Sequence, residues 1–557
     1  MKNIEQLILI GLNLKPLSGE SFEILKRKFA KTHGSCLSNI KILEVYRTLV
    51  KENKVKPDDN FRQILKKQKT RTLSGIASIS VLTKPYPCPG ECLYCPTEKN
   101  MPKSYLSNEP AVMRAVLTYF DPYKQIAARL DSLYLTGHPT DKIELIVMGG
   151  SFNHLPREYQ EQFIARCFKA CNEHKFSPRS YANNKNSVQK VKKILASKTN
   201  FGLPKTNADL AKEKMINETS NHRIVGLTLE TRPDLINEEE IIHMRYLGAT
   251  RIELGVQTIY DEILKLNCRG HLVDRTIKAT KLLKDAGFKI NYHLMPNLPG
   301  SDLKKDLQIF KTIFSDPRFQ PDMIKIYPCV LTRDSKLLNL YQSGVYKPYS
   351  DQDLIELLIE IKKIIPPNIR IMRLGRDIPA NNIIAGNKLS NIRQILQAQM
   401  NKRNIKCQCI RCREIKDEKY SLGDIKFNRI DYRASGGQEI FISFEDKKNN
   451  KLLAFLRLRI PSQHYNNKKF FIKSLQNSAL IREVHSYGQL IPVHKYEKES
   501  TQHKGYGKKL IEEAEKIAKR EFGINKLAVI SGVGVRNYYR KLGYSLKDEY
   551  MIKKLQK

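Results

Sequence analysis

From about residue 72 to 390, short apolar runs alternate with longer amphipathic stretches. "KIELIVMGG", "RIVGLTLE", "TRIELGVQ", "FKINYHLMP" and "MIKIYPCV" are rich in β-branched residues and nearly continuous in apolar character, as strands of a parallel sheet covered on both faces are. Between them, "NEEEIIHMRYLG" and "RTIKATKLLKDAG" repeat apolar positions at helical spacing. The alternation predicts a βα repeat closing into a full or partial (β/α) barrel, an α/β fold. The predicted strands end in polar or glycine residues: Gly149 and Gly150, Glu230, Gln257, then Asn297 and Gly300. In such barrels chemistry gathers at that C-terminal rim.

The pattern changes along the rest of the chain. Residues 1–70 read as helical, and the apolar run "LILIGLNL" is too short to cross a membrane. The polar insertion "YANNKNSVQKVKKILASKTN" reads as a surface excursion. Residues 391–424 form a connector. From 425, "IFISFED", "LLAFLRLRI" and "ALIREVHSYG" predict successive antiparallel strands, followed by a helix over 505–520, the strand "INKLAVIS" and a short Tyr-rich helix. The reading is therefore four segments: 1–70, 71–390, 391–424 and 425–557.

Charge adds a partner class. Lys and Arg number 97 against 57 Asp and Glu, a formal net charge of +40 that favours polyanions, nucleic acid first and an anionic membrane surface second. Residues 1–70 alone carry a net +8, with Lys26, Arg27, Lys28, Lys31, Lys66, Lys67, Lys69 and Arg71 in or beside two basic runs. These form either a phosphate-contacting surface or a solvated helical face.

The eleven cysteines are concentrated in two tight groups, which argues for metal binding in a reducing compartment, the cytoplasm, and against a disulfide framework. The first group is Cys88-x3-Cys92-x2-Cys95. Its two readings are a [4Fe–4S] cluster with one open iron, able to take S-adenosylmethionine and cleave it to a 5′-deoxyadenosyl radical, or zinc with a remote fourth ligand. Pro89 and Gly90 allow a tight turn, and Tyr94 is placed to pack on an adenine. Gly149 and Gly150 permit close approach to the cofactor's amino group, while Glu230 and Gln257 can bond ribose hydroxyls or its carboxylate. Each could equally be an ordinary loop or capping residue.

The second group, Cys407-x-Cys409-x2-Cys412, suits a structural metal such as zinc clamping two domains, or else three buried thiols. Cys36, Cys167, Cys171, Cys268 and Cys329 read as small hydrophobes. In "TQHKGYGKKL", Gln502, Lys504, Gly505, Tyr506, Gly507 and Lys508 stand at a helix start, where backbone N–H groups can hold a pyrophosphate. Strand, loop, helix, strand and a Tyr-rich helix ending in "LGY" follow the order of N-acetyltransferases (GNAT) that bind acetyl-CoA. Tyr538 and Tyr539 either reach the thioester or only pack the short helix. A radical source beside an acetyl donor makes sense when carbon, not nitrogen, receives the acetyl unit.

Blocks such as "RTLSGIASISVLTKPYPCPG", "DKIELIVMGGSFNHLP", "GLTLETRPD", "YHLMPNLPGSD", "KIYPCVL", "CQCIRCRE", "HKGYGKKLIEEAE" and "ISGVGVRNYYRKLGY" resemble the catalytic subunit of Elongator, the tRNA uridine(34) acetyltransferase or carboxymethyluridine synthase family, in its free-standing archaeal or bacterial form. The resemblance implies a radical S-adenosylmethionine domain followed by a GNAT domain. It implies carboxymethylation at C5 of the wobble uridine from acetyl-CoA. It matches Cys88, Cys92 and Cys95 to the cluster ligands, Cys407, Cys409 and Cys412 to a linker metal, "HKGYGKK" to the coenzyme A loop, and Tyr538 and Tyr539 to acetyl-CoA use. It sets Lys325 in the active cleft, orienting the acetyl group or the base. Implied partners are the tRNA anticodon stem-loop and an electron donor, with the protein acting alone or as a homodimer and without a membrane. The rival expectation is a protein lysine acetyltransferase that uses the cluster as a scaffold.

Overall fold

The computed structural model describes residues 2–34, 36–68, 72, 74–176, 187–196, 208–416, 420–466, 468–487 and 505–555. Seven parallel strands form the first sheet: β1 (Ala77–Leu82), β2 (Lys142–Met148), β3 (Arg223–Thr231), β4 (Arg251–Gln257), β5 (Lys289–Leu294), β6 (Met323–Ile326) and β8 (Arg370–Leu374). They pair in chain order, and β1 and β8 remain unjoined edges, so the barrel is partial. β7 (Leu331–Thr332) pairs separately with β9 (Ile383–Ala385).

Helices such as Pro122–Leu135, Arg157–Glu173 and Val273–Asp285 pack on the convex face of this sheet. Along β2, Ile143, Leu145 and Val147 are buried in the core while Glu144 and Ile146 face the open side. The apolar content of "KIELIVM" therefore conceals a period of two at this strand, whereas the central strands β4 and β5 are buried on both faces, as expected. The concave face is polar: β4 brings Glu253, β5 brings Asn291 and His293, and β6 brings Lys325. Local signals start the surrounding helices. Asn237 accepts a hydrogen bond from Glu240 N and opens Glu238–Tyr246, whose first turn holds three glutamates beside the positive helix end.

The second sheet runs β10 (Ile425–Ala434), β11 (Gly437–Asp446), β12 (Lys451–Ile460), β13 (Ala479–Ser486), β14 (Lys526–Val529), β16 (Tyr550–Lys554) and β15 (Ser545–Lys547). All pairs are antiparallel except β13 with β14, which pair for three residues before β13 continues paired with β12 alone. That divergence leaves a gap between the strands beside the helix Tyr506–Arg520. The N-terminal helices, Lys2–Leu12, Gly19–His33, Asn39–Lys51 and Asp59–Leu65, enclose a core of their own around Phe22, Tyr46 and Phe61. "LILIGL" lies in the first helix, with Leu7 and Ile8 buried and Leu9 and Ile10 exposed. Part of the polar insertion is a helix, Ser187–Ala196, whose Val191 is buried against Val112 and Val116, a correction to the surface reading. Cys167, Cys171 and Cys329 are buried as expected of small hydrophobes, whereas Cys36 and Cys268 are exposed. Among the described residues no helix is long and apolar enough to cross a membrane.

The second sheet docks against the N-terminal ends of the barrel strands. Arg482 makes a two-nitrogen contact with Asp322, just before β6, and donates to Phe288 O at 2.7 Å, just before β5. Arg459 reaches Asp285 at 2.6 Å and Glu439 at 2.9 Å, and Lys284 stands 3.7 Å from Asp322 and 3.6 Å from Glu439. Every side chain in this cage is at most 4% exposed. Gly532 and Gly534 lie directly on β3, where a β-carbon would collide with the Val225 carbonyl and with Cβ of Arg223 respectively.

Burial would raise the Asp322 carboxyl, but Arg482, Lys284 and Arg457 outweigh it and hold it at about 2. A depressed carboxylate stabilises the fold above its unfolded value near 4, and that contribution fades as pH falls toward 2. Asp322→Ala leaves buried cations unpaired and should cost about 3–5 kcal/mol at neutral pH, read as an earlier denaturant midpoint, with the gap to the parent narrowing below pH 4.

Candidate active site

The C-terminal rim of the barrel assembles the first cysteine group. The loop after β1 is tied down by Leu93 N donating to Asn267 O at 3.2 Å and Leu337 N donating to Leu93 O at 3.0 Å. Cys92 is buried, and Arg269 Nη1 donates to its sulfur at 3.5 Å. A hydrogen bond from the Cys95 thiol pulls Cys92 down to about 4; burial opposes this and the Arg269 charge assists. A thiol so biased toward thiolate is a metal ligand in waiting. Cys88 stands apart from this pair, accepting from Gly90 N at 3.5 Å, and the three sulfurs do not form a closed ligand group. Tyr94 is buried among Ile263, Leu298 and Leu331, so it packs the loop and does not offer its ring to an adenine.

The remaining rim residues fit a polar cofactor held close to the backbone. Gly149 and Gly150 have φ of +131° and +92°, and a β-carbon on Gly149 would fall on the Thr83 hydroxyl. Gln257 adopts φ +70°, and its buried Oε1 has no hydrogen-bond partner among the described residues. An orphaned acceptor in a buried cleft is a cost unless a ligand donor meets it. Glu230 accepts from Tyr105 OH at 2.7 Å and keeps a second oxygen toward the cleft, 3.7 Å from His293 Nδ1. These features fit a [4Fe–4S] cluster with S-adenosylmethionine.

Lys325 lies on the concave face below this rim, its ammonium paired with Glu253. Burial would lower the lysine, but the Glu253 charge overrides it and raises the ammonium above its ordinary value. Sequence reasoning did not single out Glu253, His293, Arg232 or Arg269. "TRPD", "LGVQT" and "YHLMP" were legible as motif blocks, but which of their polar residues meet is decided by pairing across strands.

At the base, β13 turns Val484 and Ser486 toward the helix start at Gly507, where Tyr538 also arrives: each has an atom within 3.8 Å of a β-carbon built on Gly507. Gly505 has φ +73° and initiates that helix, with Tyr506 buried beneath it and Lys508 exposed. Tyr538 is 42% exposed while Tyr539 is buried, so only the first is free to meet a ligand. Gln502 and Lys504 lie outside the described residues.

The second cysteine group is closed. The sulfurs of Cys407, Cys409 and Cys412 lie within 4.8 Å of one another, and no fourth Cys, His, Asp or Glu joins them among the described residues. Lys362 Nζ approaches Cys412 Sγ at 3.5 Å. The segment bridges both sheets: Ile410 N donates to Ile369 O at 3.0 Å and Ile415 N to Leu452 O at 2.9 Å.

Arg232 explains why the cysteine loop carries glycine at 90. Its Nη1 fills the place a β-carbon there would take, while its Nη2 donates to Arg269 O at 2.8 Å. Gly90→Ala should leave the helical content unchanged in circular dichroism yet lower the iron and sulfide bound after anaerobic reconstitution.

Three family models match in order: the Radical SAM superfamily over residues 86–310, the Radical_SAM C-terminal domain over 321–402, and the acetyltransferase (GNAT) family over 410–544. The tRNA uridine(34) acetyltransferase of Methanocaldococcus jannaschii is 45% identical over 97% of this chain and 95% of its own length. Elongator complex protein 3 of Saccharomyces cerevisiae is 37% identical over 90% of this chain and 87% of its own. The solved structure of archaeal Methanocaldococcus infernus Elp3, with residues 1–46 deleted, aligns at a TM-score of 0.70 and 43% identity, covering 86% of this chain and 100% of that one. With a radical-type cysteine loop at one end of a partial barrel and an acetyltransferase fold at the other, the chain belongs to the family of tRNA uridine(34) acetyltransferases and Elongator complex protein 3.

Proposed function

We propose that this protein carboxymethylates C5 of the wobble uridine of tRNA, taking the two-carbon unit from acetyl-CoA. The observation that carries the reading is the group of polar side chains on the concave face of β4, β5 and β6, between the cysteine rim and the acetyltransferase fold at the base. Glu253, Asn291, His293 and Lys325 stand in register there, on strands of four to seven residues that span roughly 13–23 Å.

Cys88, Cys92 and Cys95 would hold the cluster, and when bound with S-adenosylmethionine it supplies a radical able to take hydrogen from an acetyl methyl group. Gly149 and Gly150 admit the cofactor's amino group, and Glu230 and Gln257 orient its ribose or carboxylate. Gly505, Tyr506, Gly507 and Lys508, with Gln502 and Lys504, hold the coenzyme A pyrophosphate at the helix start. Tyr538 meets the thioester, and Tyr539 supports it from the core. Lys325 orients the acetyl group or the uracil from the concave face. The basic N-terminal helices receive the anticodon stem-loop through phosphate contacts, and an unpaired loop base leaves its stack at a cost of a few kcal/mol. An external electron donor, a cytoplasmic setting and action as monomer or homodimer complete the reading.

Cys407, Cys409 and Cys412 are proposed to bind zinc. Three thiolates beside Lys362 supply the charge and softness, and the fourth position falls to solvent or to a residue outside those described. Elemental analysis should find about one zinc per chain, and Cys409→Ser should lower it and bring the thermal midpoint down together.

Anaerobic incubation with reductant, S-adenosylmethionine, methyl-labelled acetyl-CoA and tRNA, followed by nucleoside mass spectrometry, tests the main reading. Label is expected in a modified uridine, with 5′-deoxyadenosine released, and Cys92→Ala should abolish both. Label found only on protein lysine overturns it.

A further inference from the structure

Glu253 is 1% exposed on β4 and receives three donors. Lys325 from β6 pairs with Oε2, His293 Nε2 from β5 meets the same oxygen at 3.0 Å, and Asn291 Nδ2 donates to Oε1 at 3.1 Å. Burial would raise this carboxyl, but Lys325 and then His293 override it and hold it well below the carboxylate range. An ionised carboxylate only accepts, so the imidazole must donate through Nε2. Strand register makes the meeting unavoidable: Glu253 stands opposite Asn291, and His293 opposite Lys325. On its other side, His293 leads to Glu230 and from there to Tyr105 OH.

A lysine on a concave face has four rotatable bonds and would sweep a wide volume if left alone. Here its ammonium is fixed to a carboxylate that two further donors fix in turn. We infer that Glu253 and His293 are positioning residues that hold the Lys325 ammonium at one point between the thioester end and the cysteine rim. This rests on the proposed role of Lys325. The consequence is directional. A polarised acetyl oxygen or uracil carbonyl meets a cation at a set height in the barrel, and a displacement of an ångström is enough to lose the reacting geometry. Tyr105, packed beside the cysteine loop, extends the chain of contacts from the rim to the hub.

The test is a mutant cycle with a rescue. His293→Leu removes the donor, and His293→Gln keeps an N–H that can reach Glu253. Lys325→Met removes the group being positioned, and the His293→Leu, Lys325→Met double variant closes the cycle. The readouts are kcat and KM for acetyl-CoA in tRNA modification, 5′-deoxyadenosine released per modified uridine, and the position of Lys325 in crystals of the unloaded protein. His293→Leu should lower kcat roughly tenfold to a hundredfold with little change in KM. It should raise the 5′-deoxyadenosine ratio and free Lys325 from Glu253. His293→Gln should recover most of the rate, and the double variant should be no slower than Lys325→Met alone. Losses that multiply in the double variant, or a glutamine variant as slow as the leucine one, overturn the inference. If His293→Leu does not fold, Glu253→Gln replaces it in the cycle with the same expectations. Full activity in Lys325→Met removes the role of the lysine and this inference with it. The uridine label from the parent protein would still stand, so the two failures are distinguishable.

Discussion

The cage of buried charges between Asp322, Arg482, Arg459, Asp285, Glu439 and Lys284 decides where the two halves of this protein stand. Charges out of water are tolerated only when their partners are met in nearly ideal geometry, so the arrangement admits one docking pose. Arg482 and Arg457 also donate to backbone carbonyls of Phe288 and Asn368, at the entries of β5 and β8. Hydrophobic contact adds area without direction: Ile530 against Gly287 and Val533 against Gly248 fill the space that the charged contacts define. The acetyltransferase fold is thereby held at the N-terminal ends of the strands, and the cysteine loop stands at the opposite ends.

This placement gives the concave face its importance. Two cofactor sites at opposite ends of a sheet can cooperate only along the surface between them. In a fully closed barrel that volume is packed with apolar side chains. In this partial barrel it carries Glu253, Asn291, His293 and Lys325, with the Glu253 carboxylate meeting a donor from each of the other three. The polarity is tolerated because Glu253 on β4 meets donors from the adjacent β5 and, one strand further, from Lys325 on β6.

Much of the site was legible because its chemistry is local in sequence. The spacing of Cys88, Cys92 and Cys95 points to metal ligation wherever the loop ends up, and that of Cys407, Cys409 and Cys412 to either a structural metal or three gathered thiols. The start of the helix at Gly505 was likewise visible, since glycine in the left-handed region has a local signature. Tyr94 was misread because an aromatic beside a cysteine motif looks available, yet its ring fills a satellite core. The edge strands β1, β8, β10 and β15, and the five-residue β16 beside β15, escaped notice because short or polar strands have weak periodicity.

The sequence by itself determined the order of units, the βα alternation, the two cysteine spacings and the surplus of positive charge, since each depends on residues near one another along the chain. Tertiary structure alone decided which face of the sheet packs on the helices and which carries the polar side chains. It alone joined Glu253 to His293 and Lys325, and set the two cofactor ends apart along the strands. Those outcomes depend on strand register and on ion pairs between residues more than a hundred positions apart, such as Asp322 and Arg482, and no local pattern encodes a distance of that kind.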